Sequence, residues 1–179
     1  MSVLTETKSG VLDLPETYTI RFTPVDRATH ELITAQVLPL AREEAFAFFQ
    51  DPRNLFDITP DWLDFRMVDR NSSTDVIEGA EFDYTIRWFG IRIRWRSRIV
   101  GYRPPEKFTD IQLVGPYRFW RHLHSFESLP EGTRMTDAVT YRLPRLAVPL
   151  NDLLIKRQLG DIFDYRAVTI AKWARGEGR

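Results

Sequence analysis

Apolar and polar residues alternate with a period of two through the middle of the chain. The alternation is clearest over 78–88 and 91–102, and it returns over 107–114, 118–127 and 133–142. This period is typical of strands that bury one face, because successive side chains of a strand point to opposite faces of the sheet. Turn segments rich in Pro and Gly separate the runs, so the pattern predicts an antiparallel meander.

Helical patterns precede this meander. A β-rich run over 30–38 ends at Pro39 and leads into a helix over 41–50, and a second short helical stretch follows around 54–58. A new strand is expected over 62–68, after a Thr-Pro pair that interrupts the helical pattern. The sequence therefore predicts a strand and two short helices before the meander.

The longest helical pattern covers residues 152–173. Its apolar residues recur at the three- and four-residue spacings that place side chains on one face of a helix. The expected inward face contains Ile155, Leu159, Ile162, Phe163, Ile170 and Trp173, and Arg157, Asp161, Asp164 and Lys172 are expected nearer to water. The chain is thus predicted to be an α+β protein, with six to seven strands and one long C-terminal helix.

The first 29 residues are mixed and polar, with a β-like run over 18–22 that could add an edge strand or lie across the surface. We therefore divide the chain into an N-terminal extension (1–29), one domain (30–174) and a flexible tail (175–179). A chain of 179 residues is long enough to bury roughly 70% of its surface around a single core.

Composition and charge narrow the range of functions. The 25 basic and 25 acidic residues balance, so nothing attracts nucleic acid or an anionic surface over a long range. The absence of cysteine excludes disulfides and thiolate chemistry. Neither a secretion signal nor an apolar run of membrane-spanning length is evident, and we expect a cytoplasmic protein.

The turn at 89–90 fixes one hairpin. A two-residue loop pairs Trp88 with Ile91 and, counting outward, Phe82 with Ser97. Aromatic side chains then share the inward face, whereas the arginines of the other face are expected to be solvated and partly paired with acids. The inward residues of interest are Phe82, Tyr84, Trp88, Trp95 and Ser97.

Polar residues interrupt the inward face of the later strands. His122 and His124 share one face, and the following turn sets Asp137 opposite His124, although a slip of two residues would set it opposite His122. A three-residue loop over 115–117 would place Asp110 beside His122. Unpaired buried polar groups cost about 1–3 kcal/mol each, so we expect mutual hydrogen bonds or a wet cavity. The polar inward set is Asp110, Gln112, His122, His124, Asp137, Tyr141 and Ser97.

Two interpretations of this polar group stay open. In one, Asp137 orients a buried His124 and the network is satisfied internally. In the other, His122, His124 and Asp137 contact the ligand and are candidates for acid–base catalysis. A His-x-His pair with a carboxylate can also bind zinc, but such short spacings arise often by chance, and we assign no metal and no cofactor. The sequence has no Ser nucleophile elbow, Gly-rich phosphate loop or His-Glu-x-x-His motif.

Three passages carry a family resemblance: AREEAFAFFQDPRNLFDITPDWL, GPYRFWRHLHSFE and GTRMTDAVTYRLP. They resemble the first strand-to-helix passage, the sixth strand and the ending of the START-like (SRPBCC) superfamily, and especially its bacterial ligand-binding or cyclase/dehydrase group. The resemblance covers about residues 30–174. It implies a helix-grip fold, in which a curved antiparallel sheet surrounds a long C-terminal helix and two short helices follow the first strand.

In that superfamily the ligand lies between the sheet and the helix, which adds Trp120, Tyr141, Ile162 and Phe163 to the ligand-binding candidates. The resemblance implies a protein that binds or carries a small hydrophobic molecule, such as a lipid, polyketide or quinone-like compound. The alternatives are a cyclase, dehydratase or hydrolase with a His-Asp pair, and a domain that regulates a partner protein. We expect no nucleic-acid partner and no membrane span, and a homodimer is compatible with the sequence.

Overall fold

The computed structural model describes residues 3–7, 10–68 and 75–177, with side chains from residue 12 onward. In chain order its strands are β1 (Val3–Thr7), β2 (Gly10–Leu14), β3 (Thr19–Pro24), β4 (Thr29–Leu38), β5 (Arg66–Met67), β6 (Glu81–Trp88), β7 (Ile91–Arg103), β8 (Lys107–Val114), β9 (Phe119–Leu129) and β10 (Gly132–Arg142). The helices are α1 (Arg42–Gln50), α2 (Asn54–Asp57) and α3 (Lys156–Ala174), with 3₁₀ turns at Asp61–Leu63 and Arg145–Leu150 and a π-helical turn at Asn151–Ile155.

One antiparallel sheet of eight strands forms the body of the protein, in the order β3-β4-β10-β9-β8-β7-β6-β5, and β1 pairs with β2 in a separate hairpin. The strand that follows the N-terminal segment, β4, pairs with the last strand, β10. The predicted helix-grip fold is confirmed. The sheet exceeds the expected six to seven strands because β3 and β5 add to its edges.

The predicted hairpin register of β6 and β7 is confirmed from Trp88–Ile91 to Glu81–Arg98. Phe89 and Gly90 have φ values of 47° and 83°, the left-handed pair that a tight two-residue hairpin turn requires. On the outer face, the buried Asp83 carboxylate accepts hydrogen bonds from the half-exposed Arg94 and Arg96.

The register of β9 and β10 settles which histidine faces Asp137 across the sheet. Met135 pairs with Phe126 and Asp137 pairs with His124, so the slip by two residues is excluded. Between β8 and β9, Asp110 pairs with His122, as expected.

The predicted pairing of β8 and β9 is wrong next to the loop that connects them. The β8–β9 ladder ends at Ile111–Arg121, so Gln112 does not reach Trp120. The Gln112 side chain instead donates to the Tyr117 carbonyl and accepts from the Tyr117 amide. These two hydrogen bonds occupy the Gln112 amide, which we expected on the inward face, and the β8–β9 ladder stops one residue before it.

Two element boundaries also differ from prediction. The strand expected over 62–68 is reduced to β5, because a 3₁₀ turn occupies Asp61–Leu63 and Asp64 adopts a left-handed φ of 43°. The final α-helix begins at Lys156, after the π-helical turn Asn151–Ile155.

The N-terminal segment lies on the main sheet and on α3. β3 is the edge strand beside β4, and the Tyr18 hydroxyl donates to Asp164 Oδ1 at 2.9 Å. Asp161 and Asp164 were predicted to lie near water, but both are buried. The reason is that residues far away in sequence cover this side of α3.

Two hydrophobic clusters make up the core. The first centres on α1 with Phe46, Phe49 and Phe126, and the second on the sheet with Trp120 and Tyr141. Both extend to α3, and the cavity described next is lined from both. Across the described residues, no helix combines the length and hydropathy needed to cross a bilayer.

Candidate functional site

A cavity of about 190 Å³ lies between the inner face of the sheet and α3. The predicted residues that line it are Phe82, Tyr84, Trp88, Trp95, Ser97, Asp110, Trp120, His122, His124, Ile162 and Phe163. Strand parity and the register of one hairpin brought most of these residues together in the sequence, since side chains of equal parity share a sheet face.

Three predicted residues lie elsewhere. Gln112 is held by the Tyr117 backbone, as described above. Tyr141 is fully buried beside the cavity wall and hydrogen-bonds Asn151 Oδ1 at 3.1 Å, so it supports the wall from behind. Asp137 lines a separate small void of about 10 Å³ behind the histidines.

Sequence reasoning missed part of the lining. Residues from α1 to β5 close one end of the cavity; they include Phe48, Phe49, Leu55, Ile58, Leu63 and Phe65. Gln158 and Arg166 of α3 also line it. They lie four residues on either side of Ile162, so the helical spacing around that residue was the signal that could have found them.

Aromatic rings form the deep wall. Trp95 and Trp120 meet edge to face with 5.3 Å between ring centroids, and Tyr117 packs on Trp120 at 4.9 Å. Tyr84 stacks on Trp95 at 6.1 Å. Such tilted and stacked contacts fix the rings and leave apolar faces toward a bound molecule.

The two inward histidines form a closed network with two carboxylates. His122 Nε2 lies 2.9 Å from Asp137 Oδ1 and His124 Nε2 lies 3.2 Å from Asp110 Oδ2, both as hydrogen bonds. The other ring nitrogens face the opposite acids: His122 Nδ1 is 3.4 Å from Asp110 Oδ2, and His124 Nδ1 is 2.8 Å from Asp137 Oδ1 without hydrogen-bond alignment. Each imidazole thus contacts both carboxylates.

The pKa values of the two imidazoles are shifted in opposite directions. Burial lowers the pKa of His122, and the neighbouring charge of His124, whose ring centroid is 3.8 Å away, lowers it further. For His124 burial also disfavours the charge, but the hydrogen bond to Asp110 and the close Asp137 carboxylate outweigh it and raise the pKa. Of the two imidazoles, His124 therefore holds a proton more readily than His122.

Both carboxylates stay ionised. Burial would raise the pKa of Asp110 and of Asp137, but the hydrogen bonds and charges of the two imidazoles outweigh burial and hold both pKa values below the ordinary range. Two imidazoles on one wall whose pKa values are shifted in opposite directions are chemically suited to donate and accept a proton.

The same group has the composition of a metal site. One ligand atom from each of Asp110, His122 and His124 lies within 4.8 Å of the others. Two imidazoles and a carboxylate suit zinc, and Asp137 would then orient the rings from behind. Every ring nitrogen of the pair already lies within 3.4 Å of a carboxylate oxygen, so each has a partner in the network without an ion.

Several polar atoms at the cavity wall are buried and have no hydrogen-bond partner within the described part of the chain. They are Trp95 Nε1, Gln158 Oε1 and Arg166 Nε. The Trp95 and Gln158 residues are only 6% and 3% exposed. Leaving such atoms unpaired costs about 1–3 kcal/mol each, so Trp95 Nε1 and Gln158 Oε1 favour a ligand with complementary groups, whereas Arg166 also lines the small void.

The chain thus has a helix-grip fold with an aromatic cavity under its last helix. The sequence model of the family described as "Polyketide cyclase / dehydrase and lipid transport" matches residues 38–164, and the chain belongs to this family. The predicted SRPBCC resemblance is thereby confirmed. No curated protein matches the sequence.

Solved structures share the fold at low sequence identity. Protein Ms6760 from Mycobacterium smegmatis superposes with a TM-score of 0.64 at 16% identity, over 89% of this chain and 98% of that one. TTHA0849 from Thermus thermophilus gives 0.65 at 14% identity, over 83% and 99%. The di-domain ARO/CYC StfQ from the steffimycin biosynthetic pathway gives 0.58 at 15% identity, over 84% of this chain and 53% of StfQ. These likenesses establish the fold.

Proposed function

We propose that the protein binds or carries a small, largely apolar molecule in the cavity between the sheet and α3. The observation that carries the proposal is an aromatic cavity with a few buried polar atoms that have no partner within the described residues, such as Trp95 Nε1 and Gln158 Oε1. Ligand sites are mostly apolar with a small number of placed polar groups. The apolar wall would hold the body of the ligand, and the polar atoms would orient one end.

The size of the cavity limits the ligand. About 190 Å³ is below the roughly 300–1,000 Å³ typical of sites for drug-sized molecules. A compound with one or two fused rings fits this volume better than a complete lipid. Among lipid-, polyketide- and quinone-like ligands, the proposal therefore favours a small aromatic or quinone-like compound, bound without a cofactor.

Native mass spectrometry of the purified protein, followed by organic extraction, tests this proposal. A retained small molecule, or saturable one-to-one binding of the neutral fluorophore N-phenyl-1-naphthylamine, is the expected result. If the protein retains no molecule and does not bind the fluorophore, the proposed function is wrong.

The second candidate is an acid–base enzyme, such as a cyclase or dehydratase, in the same cavity. It is favoured by the two adjacent imidazoles on the cavity lining, since the pKa of His124 is raised and that of His122 is lowered. The variants His124→Ala and Asp137→Asn separate the two functions once a ligand is known. A carrier should lose up to about tenfold in affinity, whereas an enzyme should lose turnover by about 100-fold or more.

A further inference from the structure

Arg166 is a cation on the cavity wall without an anionic partner among the described residues. It lies on the inner side of α3 and lines the main cavity together with Ile162 and Phe163. No ion pair or hydrogen bond within the described residues involves its side chain, and its Nε is sealed from solvent. Its one specific contact in this part of the chain is with the Phe163 ring, whose centroid is 5.1 Å from the guanidinium carbon.

The carboxylates of the histidine–aspartate network form no ion pair with this cation. Asp110 Oδ2 and Asp137 Oδ1 are each engaged by both imidazoles. The charge of Arg166 acts on Asp110 only beyond ion-pair distance, as one of the smaller contributions to its lowered pKa. The histidine–aspartate network is therefore closed on itself, and the guanidinium stands outside it.

The small void next to Asp137 could supply a partner for one guanidinium nitrogen, Arg166 Nε. Arg166 and Gln36 both line this void of about 10 Å³, and Gln36 Oε1 also has no partner within the described residues. The void has room for about one water, which could join Nε to Gln36. The terminal guanidinium nitrogens are not among these sealed atoms, and Arg166 lines the main cavity as well as the small void.

From these observations we infer that the ligand of the proposed cavity carries an acidic oxygen group, a carboxylate or an ionised enol or phenol, and that Arg166 binds it. Planar guanidinium groups bind carboxylates through two parallel hydrogen bonds, and such charge-assisted bonds are about twice as strong as neutral ones. The apolar surroundings strengthen this attraction. The inference rests on the proposed function, and it narrows the ligand class to small aromatic acids.

A matched pair of probes tests the inference: 2-naphthoic acid and 2-naphthalenemethanol share the same two-ring body and differ in the acidic group. Isothermal titration calorimetry of the full chain at pH 7 should show at least tenfold tighter binding of the acid. Arg166→Met should remove this preference and keep the affinity for the alcohol. Arg166→Lys, which keeps the charge and loses the planar fork, should retain part of the preference.

Arg157→Met is the matched control, because Arg157 lies on the same helix and is exposed. It should leave both affinities unchanged, and circular dichroism should confirm that each variant is folded. Equal binding of both probes by the wild type, or a preference that survives in Arg166→Met, would overturn the role of Arg166 and leave the proposed function standing. If the wild type binds neither probe, both proposals fail for ligands of this size.

Discussion

Asp137 Oδ1 lies 2.9 Å from His122 Nε2, although the two residues are not partners across the sheet. The register pairs Asp137 with His124 and places His122 opposite Val139. The carboxylate therefore reaches diagonally to one imidazole while it stays 2.8 Å from the other, at His124 Nδ1. One acid thus fixes the orientation of both rings on the cavity wall.

This arrangement predicts three distinct histidine titrations. We expect the pKa of His124 above 6.5, because Asp110 and Asp137 stabilise its charge, and the pKa values of His122 and His30 below 6.5, chiefly because of burial. Asp137→Asn should lower the pKa of His124. The chain has only three histidines, so long-range ¹H–¹⁵N NMR spectra can follow each ring against pH. An unchanged His124 pKa in Asp137→Asn would contradict the contact.

The same shifts give the sign of a pH effect on stability. The lowered pKa of Asp137 stabilises the native state above about pH 3.8, and this contribution is lost as the pH falls through the native pKa. The raised pKa of His124 contributes below 6.5 and is lost as the pH rises through its native value. The lowered pKa of His122 acts in the opposite sense, since native stability falls as the pH drops below 6.5.

Asp137→Asn should therefore lower the free energy of unfolding by about 3 kcal/mol at pH 6, as removal of one partner from a buried charged network does. Near pH 3 the difference should shrink, because Asp137 is by then protonated in the unfolded chain. Urea unfolding at the two pH values measures both differences. Glu127→Gln, which removes an exposed pair with Arg134, serves as the control and should change stability by less than about 1 kcal/mol.

We expect that the histidine–aspartate network holds no metal ion. Each ring nitrogen already faces a carboxylate, so a divalent cation would have to replace contacts of 2.8–3.4 Å. Elemental analysis of the purified protein should find far less than one equivalent of zinc or iron, and EDTA should leave N-phenyl-1-naphthylamine binding unchanged. One equivalent of metal that is lost in Asp110→Asn would instead identify Asp110, His122 and His124 as ligands.

Much of the sheet could be predicted because its constraints are local. The two-residue turn at 89–90 determines the β6–β7 pairing, and parity then sorts Trp95 and Ser97 to the inner face. The β9–β10 register was predictable for the same reason, and it placed Asp137 opposite His124. Short turns leave few registers open, and a slip by one residue would turn every apolar side chain toward water.

Three side-chain positions could not be predicted in this way. Asp164 is a charged residue in a helical pattern, which predicts that it is exposed. It is buried because Tyr18, which is 146 residues earlier in the chain, contacts it. Gln112 left the expected site because its amide hydrogen-bonds the Tyr117 backbone, a local alternative to the ladder. Arg166 was missed because a charged residue is expected to face water, although its spacing of four residues from Ile162 places it on the cavity side of α3.

The contact between Tyr18 and Asp164 predicts that the N-terminal segment contributes to stability. Tyr18→Phe leaves Asp164 Oδ1 buried without its donor, so we expect a loss of about 1–2 kcal/mol in the free energy of unfolding. Tyr165→Phe is the matched control, because no hydrogen bond of the Tyr165 hydroxyl occurs within the described residues. Urea unfolding followed by fluorescence measures both. Equal, small effects of the two variants would mean that the contact contributes nothing.

Filling the cavity should abolish binding and spare the fold. Ile162 is only partly buried on the cavity side of α3, so Ile162→Trp places a larger ring in the space proposed for the ligand. Because the added ring occupies a cavity and not a packed core, the cost in stability should stay below the roughly 1–3 kcal/mol usual for overpacking. Affinity for N-phenyl-1-naphthylamine should fall at least tenfold, as measured by fluorescence titration.

Lys172→Trp provides the comparison, since it adds the same ring at an exposed position of the same helix and should leave the affinity unchanged. If Ile162→Trp is folded and binds as tightly as Lys172→Trp, the ligand does not occupy the space beneath α3. In that case binding would have to lie outside the cavity, and the histidines and Trp95, which are buried on its wall, would have no part in it.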